Sequence, residues 1–85
     1  MEKFIRLKVG SHQILHGFDK DNREIVETVT VQEYTDKIVA VNRIKSVSEK
    51  YILTDYADGR YVYWEYEGSL DDIAKRLADA GVLIG

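Results

Sequence analysis

Residues 51–67, Tyr-Ile-Leu-Thr-Asp-Tyr-Ala-Asp-Gly-Arg-Tyr-Val-Tyr-Trp-Glu-Tyr-Glu, constrain this chain more than any other stretch. Two runs rich in aromatic and β-branched side chains flank Asp58-Gly59. A tight turn that matches the twist of its strands needs φ > 0 at its central residues, and Asp-Gly accepts it. The stretch therefore reads as a β-hairpin with strands over 51–57 and 60–67. A two-residue or four-residue loop sets one register: Tyr56 opposite Tyr61, Leu53 opposite Trp64, Tyr51 opposite Tyr66. One face then carries Tyr51, Leu53, Val62, Trp64 and Tyr66, and the other Ile52, Thr54, Tyr56, Tyr61, Tyr63 and Glu65. A three-residue loop with a glycine bulge, also open to Asp-Gly, shifts the pairing by one residue. The Leu53/Trp64 face is expected to be the core, which leaves three tyrosines pointing the other way.

Most of the upstream chain reads as further strands of the same sheet. Over 3–9, Ile5, Leu7 and Val9 alternate with Arg6 and Lys8, the pattern of a half-buried strand. Gly10-Ser11 is expected to break it, and Ser11–Phe18 is read as an ambiguous piece, open to a second strand returning beside the first. Asp19-Lys20-Asp21-Asn22 is a polar turn cluster. Residues 25–35 are rich in β-branched side chains and read as a strand, with Ile25, Val29 and Val31 on the expected buried face and Glu27 as an exception. Ile38-Val39-Ala40-Val41 is apolar throughout, which predicts a strand covered on both sides. That strand is expected over 38–47, with a bulge or bend at Asn42-Arg43.

After the hairpin, Ser69 is placed as an N-cap with Asp71 and Asp72 in the first turn, where the helix dipole favours negative charge. Ile73, Ala74, Leu77, Ala78 and Ala80 recur at helical spacing, and Gly81 stops the helix, predicted over 69–80. Val82-Leu83-Ile84 is an apolar tail that either tucks under the sheet or pairs with another subunit. The expected fold class is α+β: a curved antiparallel sheet of four or five strands with one C-terminal helix packed on it. At 85 residues it is read as one domain, residues 1–85. A chain this short buries roughly 60–65% of its unfolded surface, so it has little core to spare.

Charge and composition narrow the function. Fifteen acids against 12 basic side chains give a net charge of −3, which argues against a general polyanion binder. With no cysteine, disulfides and thiolate metal sites are excluded. The start of the sequence shows no apolar signal segment, and no run approaches the ~20 residues of a membrane helix. The chain is thus expected to be soluble and cytoplasmic, without membrane contact.

His12 and His16 share a face in either a helix or a strand, and Asp19 and Asp21 lie near, but three or four convergent ligands are not fixed by this spacing. Asp19–Asn22 also resembles the start of a calcium loop, yet Glu24 stands where that loop needs glycine and Thr30 where it needs glutamate. Ser11-His12 adjacency does not make a catalytic triad. The acids Asp55, Asp58, Glu65 and Glu67 are turn and strand positions, so no enzyme, metal or cofactor is expected.

The tyrosines remain. Tyr56, Tyr61 and Tyr63, with Arg60 at the turn and Arg43 and Lys45 on a neighbouring strand, form the candidate binding set. Such a set can anchor a protein interface, since Tyr, Trp and Arg are the usual anchors. It can stack a nucleotide while guanidinium groups hold phosphate. Or it can be plain core, with hydroxyls at the rim. One helix cannot cover a sheet apolar on both faces, so a homo-oligomer, with a dimer favoured, is expected. The leading expectation is a non-enzymatic adaptor, regulator or inhibitor acting through protein contacts. A nucleotide-binding protein is the second reading and a small DNA-binding regulator the third, with nucleic acid disfavoured by charge.

Ile44 to Leu77 runs from an apolar strand through a Gly-containing hairpin to Glu-Gly-Ser-Leu-Asp-Asp-Ile and a helix. In that order of elements it resembles the small flagellar regulators of the FlbD type and looks like the first half of a LytTR DNA-binding domain. The basic, histidine-containing continuation that would carry DNA contacts in a LytTR domain is absent.

Overall fold

Gly10-Ser11 does not end the first strand. In the computed structural model, which describes residues 2–84, Phe4–Phe18 forms a single 15-residue strand, β1. A bulge absorbs the Gly-Ser pair: Val9 stands opposite Tyr66 and His12 opposite Trp64, so Gly10 and Ser11 together face Glu65. Ser11–Phe18 therefore continues the strand instead of returning beside it.

Strand β1 is the spine, and its two edges are told apart by their hydrogen bonds. Lys3 O accepts from Val41 N at 2.9 Å on one edge. Lys8 O accepts from Glu67 N at 2.9 Å on the other, and Arg76 Nη2 donates to Arg6 O at 2.7 Å on that second side. The second edge carries β6 (Tyr61–Tyr66). The first carries β3 (Thr35–Ala40) along Phe4–Val9 and β2 (Glu24–Val29) along His12–Phe18. One strand was expected over 25–35. It stops at Val29, and β3, which begins at Thr35 and runs into the strand expected over 38–47, continues along the same edge of β1 after residues 30–34.

Tyr34 explains the break. Its ring lies across the backbone at Gly10, where an added Cβ would sit 3.1 Å from Tyr34 Cε1. Its phenol then donates to Glu65 Oε1 at 3.0 Å, and Val31 N–H is held by Ser11 Oγ at 3.1 Å. The intervening segment leaves the ladder where one aromatic ring crosses the bulge, and a Cβ at residue 10 would require that ring to shift by a few tenths of an ångström.

Strands β4 (Ile44–Val47) and β5 (Tyr51–Asp55) complete an open six-stranded antiparallel sheet of order β2-β1-β6-β5-β4, with β3 on β1. The bend expected at Asn42-Arg43 is a single tight turn over Val41–Arg43. Helix α1, Leu70–Asp79, begins as its sequence requires: Asp72 N–H donates to Ser69 Oγ at 3.1 Å. It ends at Gly81, φ 76°, with Gly81 N–H on Ala78 O at 2.9 Å and Val82 N–H on Leu77 O at 3.0 Å. The fold is thus a small α+β fold, an antiparallel sheet with one C-terminal helix, as the pattern predicts.

The core lies between β1, β3, β5, β6 and the helix. Ile5, Leu7, Val9, Val39, Ile52, Tyr66 and Ile73 are buried together, and Val41, Ile44, Val47, Trp64 and Leu77 pack against them. The alternation of Ile5, Leu7 and Val9 was legible as a buried face. Ile38–Val41 is not covered on both sides: Val39 is buried, but Ile38 is 59% exposed. Nor do Ile25 and Val31 reach the core, being exposed, while Val29 is half-buried. β6 ends at Tyr61 opposite Leu15, so the outer part of the β1–β2 hairpin projects beyond the sheet, in a molecule measuring 44 × 29 × 21 Å. The tail does not tuck under the sheet, and Ile84 is fully exposed.

Candidate functional site

The turn at Asp58-Gly59 forms as its residues dictate, with φ of 60° and 73° and Arg60 N–H on Ala57 O at 3.3 Å. The register does not follow from the turn. Tyr56 N–H donates to Arg60 O at 2.9 Å, so Tyr56 and Ala57 stand together opposite Arg60. That bulge shifts everything beyond it. The pairs are Asp55–Tyr61, Thr54–Val62, Leu53–Tyr63, Ile52–Trp64 and Tyr51–Glu65. The pairs Tyr56–Tyr61, Leu53–Trp64 and Tyr51–Tyr66 do not form; the pairing is the one-residue shift that Asp-Gly also left open.

A slip of one residue moves a side chain to the opposite face. The inner face holds Ile52, Thr54, Val62, Trp64 and Tyr66, of which Ile52 is 1% and Val62 0% exposed. Leu53 and Tyr51 belong to the outer face. The two registers differ on β5: this one seals Ile52 beside Val62, whereas the other would seal Leu53 beside Val62 and expose Ile52.

The candidate tyrosines consequently separate. Tyr61 and Tyr63 stand on the outer face, in two rows that cross the sheet. Leu15 pairs with Val26 on one side and Tyr61 on the other, while Gln13 pairs with Thr28 and Tyr63, and Tyr63 with Leu53. Tyr51 meets Tyr63 edge-on, with ring centroids 6.1 Å apart. Among the described residues no element lies over this face, because α1 packs its buried Ile73 on the other side. Tyr61 and Val26 are each 43% exposed.

Tyr56 and Arg60 lie on the inner side, at the end of the sheet. The Arg60 guanidinium sits 4.8 Å from the Tyr56 ring centroid. Its Nε donates to Ala57 O at 2.8 Å and its Nη1 reaches His16 Nδ1 at 3.2 Å. Arginine can only donate, so Nδ1 accepts and the His16 proton lies on Nε2, which donates to Glu27 Oε1 at 2.9 Å. This one chain of contacts ties β1, β2 and the turn between β5 and β6. Next along the face, Trp64 Nε1 donates to Thr54 Oγ1 at 3.1 Å. His12 stacks on Trp64 at 4.3 Å, and Lys37 Nζ stands 4.6 Å from the ring centroid. The two histidines do share a face, and the surface they share is aromatic and cationic. No group of three or more His, Cys, Asp or Glu among the described residues is placed to hold a metal.

Arg43 and Lys45 form a third locality around Asp55. Arg43 Nε donates to Asp55 Oδ1 at 2.8 Å and Nη2 to Asp55 O at 3.0 Å. This hydrogen bond, ahead of the charges of Arg43 and Lys45, holds the Asp55 carboxyl below the usual carboxylate range. A carboxyl depressed by folding stabilises the fold above its unfolded pKa and loses that contribution as pH falls through its folded value. Arg43→Ala is therefore expected to lower the melting temperature slightly at neutral pH, where exposed pairs are weak, and to lose less below about pH 4, so that it converges on wild type in acid. A series of thermal melts from neutral to strongly acid pH checks this, and an unchanged acid limb would contradict it.

The six residues of the candidate set thus occupy three places. Reading the sequence missed Leu15, Val26, Tyr51 and Leu53 on the outer face, and Lys37 and Trp64 beside the two histidines. Strict alternation from Val9 would put Gln13 and Leu15 inside; the bulge at Gly10-Ser11 reverses the phase, so that His12, Ile14 and His16 stand inside and Gln13 and Leu15 outside. No helix among the described residues is long and apolar enough to cross a membrane. Compared with protein-family models, curated proteins and solved structures, the chain matches none.

Proposed function

We propose that the protein is a non-enzymatic interaction module, an adaptor, regulator or inhibitor that works through protein contacts and self-associates through its outer sheet face. The observation that carries this reading is the uncovered surface of Val26, Leu15, Tyr61, Tyr63, Leu53 and Tyr51, spread over adjacent strands while the helix occupies the opposite side. Aromatic and aliphatic side chains on rigid strands lose little entropy on docking, and tyrosine offers both apolar area and a hydroxyl. Contiguous apolar surface of this kind marks contact sites in soluble domains.

The nucleotide reading is weaker for a geometric reason. The inner rings that could stack a base already carry a cation or an imidazole, Arg60 on Tyr56 and both His12 and Lys37 on Trp64. Sedimentation velocity over a wide concentration range tests the main reading. The expected result is a reversible dimer that Tyr61→Lys dissociates without lowering the melting temperature at concentrations where both proteins are monomeric. A chain that stays monomeric throughout, with a melting temperature raised by nucleotides in a manner dependent on Tyr56 and Arg60, would replace it with the second.

A further inference from the structure

A different surface carries a second inference: the free edge of β3. Val41 N–H on Lys3 O and the β1–β3 register fix the alternation of that strand. Val39, Lys37 and Thr35 turn their backbone groups toward β1. Asp36, Ile38 and Ala40 turn theirs away from it, toward an edge on which no strand is paired among the described residues. That edge does not face open water alone. A groove of about 260 Å³ separates it from Thr54, Asp55 and Tyr56 at the end of β5. Lys37 and Trp64 line its inner wall and Phe4 and Ile38 its outer lip, the last two 62% and 59% exposed. The sheet is open along this seam.

Charge is distributed to match. Residues 2–8, 35–47 and 54–56, which build the seam and its surroundings, hold six of the 12 basic side chains and three of the 15 acids. This region is positive by three, and the remainder of the chain is negative by six. Arg43 is matched by Asp55. Lys37 stands against the Trp64 ring with no carboxylate within salt-bridge distance among the described residues.

We propose that the β3 edge binds an extended, acidic segment of another polypeptide by strand addition. Its main chain pairs with Asp36, Ile38 and Ala40. Alternate side chains enter the groove, where a carboxylate meets Lys37, and the others cover Phe4 and Ile38. Strand addition draws affinity from main-chain bonds and selectivity from alternate side chains, and the positive field favours acidic partners in both rate and choice. The inference is independent of the outer tyrosine face, which lies on other strands.

The test is an NMR titration of the isotopically labelled protein with a blocked heptapeptide alternating glutamate and valine, and with its lysine–valine counterpart. The expected result is saturable shifts of the Asp36, Ile38 and Ala40 amides and the Trp64 indole with the acidic peptide alone. Lys37→Glu should weaken binding about tenfold, the scale of one lost charge contact near a surface. Ile38→Pro should abolish binding, because it removes an outward N–H and leaves the β1 ladder intact. Should Ile38→Pro impair folding, a probe peptide N-methylated on alternate residues removes the same bonds from the ligand side and should likewise not bind. Absent shifts into the millimolar range, equal binding of the lysine peptide, or shifts confined to β2 or β4 would each overturn the proposal. So would a dimer joined at this edge that the acidic peptide fails to disperse, since a second copy would then be the occupant.

Discussion

Ile52→Ala is expected to cost about 2–5 kcal/mol, whereas Leu53→Ala next to it should cost under about 1 kcal/mol. Ile52 is 1% exposed and sits in the core with Ile5, Leu7, Val9, Val39, Tyr66 and Ile73. Truncating it removes buried methyl groups and leaves a cavity that neighbours on four different elements cannot easily fill. Leu53 is only half-buried, on a face with nothing above it. The hairpin pairing inferred from turn length alone reverses these two expectations, so chemical denaturation of both variants reads the register directly. A domain of this class has a total stability of about 5–15 kcal/mol, and the first variant should lose a large part of it. Equal losses at both positions would contradict the bulge at Tyr56-Ala57.

Tyr66→Ala should be the other large loss, about 3–5 kcal/mol by analogy with other buried aromatics. The side chain is 3% exposed, and its hydroxyl donates to Ser48 O at 2.6 Å. Its own N–H reaches Lys50 O at 3.2 Å, so ring, hydroxyl and backbone all tie β6 to the turn before β5. Tyr66→Phe separates these contributions. It keeps the ring and forfeits one hydrogen bond, at about 1 kcal/mol. Burial, with the charge of Glu49 second, pushes the Tyr66 phenol up. A phenol whose folded pKa is raised contributes stability below its unfolded value and loses it as pH rises through the folded one. Wild type should therefore lose stability above about pH 10, and Tyr66→Phe should lose less over that window. Melting curves into the alkaline range decide it.

What could be read from the chain follows from which interactions are local. The helix was legible at both ends because Ser69, Asp72 and Gly81 act on neighbours a few residues away. The Asp58-Gly59 turn was legible for the same reason, as was the turn at Asp19, whose Oδ1 accepts from Asp21 N at 2.8 Å and Arg23 N at 3.0 Å. Register was not, because it answers to the core. Whether Tyr56 and Ala57 share one partner is decided by where Ile52 and Val62 must go, and that depends on β1, distant in sequence. Gly10 misled for a related reason. A glycine inside an alternating run signals either a break or a close approach, and the ring that approaches belongs to Tyr34. The candidate site inherited both errors: Tyr56 and Arg60 fell on the side opposite Tyr61, and Lys37 gained its place only through the fold of β3.

The spine position of β1 also bears on how the chain acquires its shape during synthesis. β1 emerges from the ribosome early, yet its first half waits for residues 35–40 and its far edge for residues 61–66. At about 5–20 residues per second, an unpaired strand end bearing Ile5, Leu7 and Val9 stays uncovered for seconds before β6 arrives. Before then only the β1–β2, β1–β3 and β4–β5 pairings can form, and small pieces of sheet without the rest of the core are marginal in water. Expression yield of this chain should thus respond to translation speed and to chaperone supply more than its small size suggests.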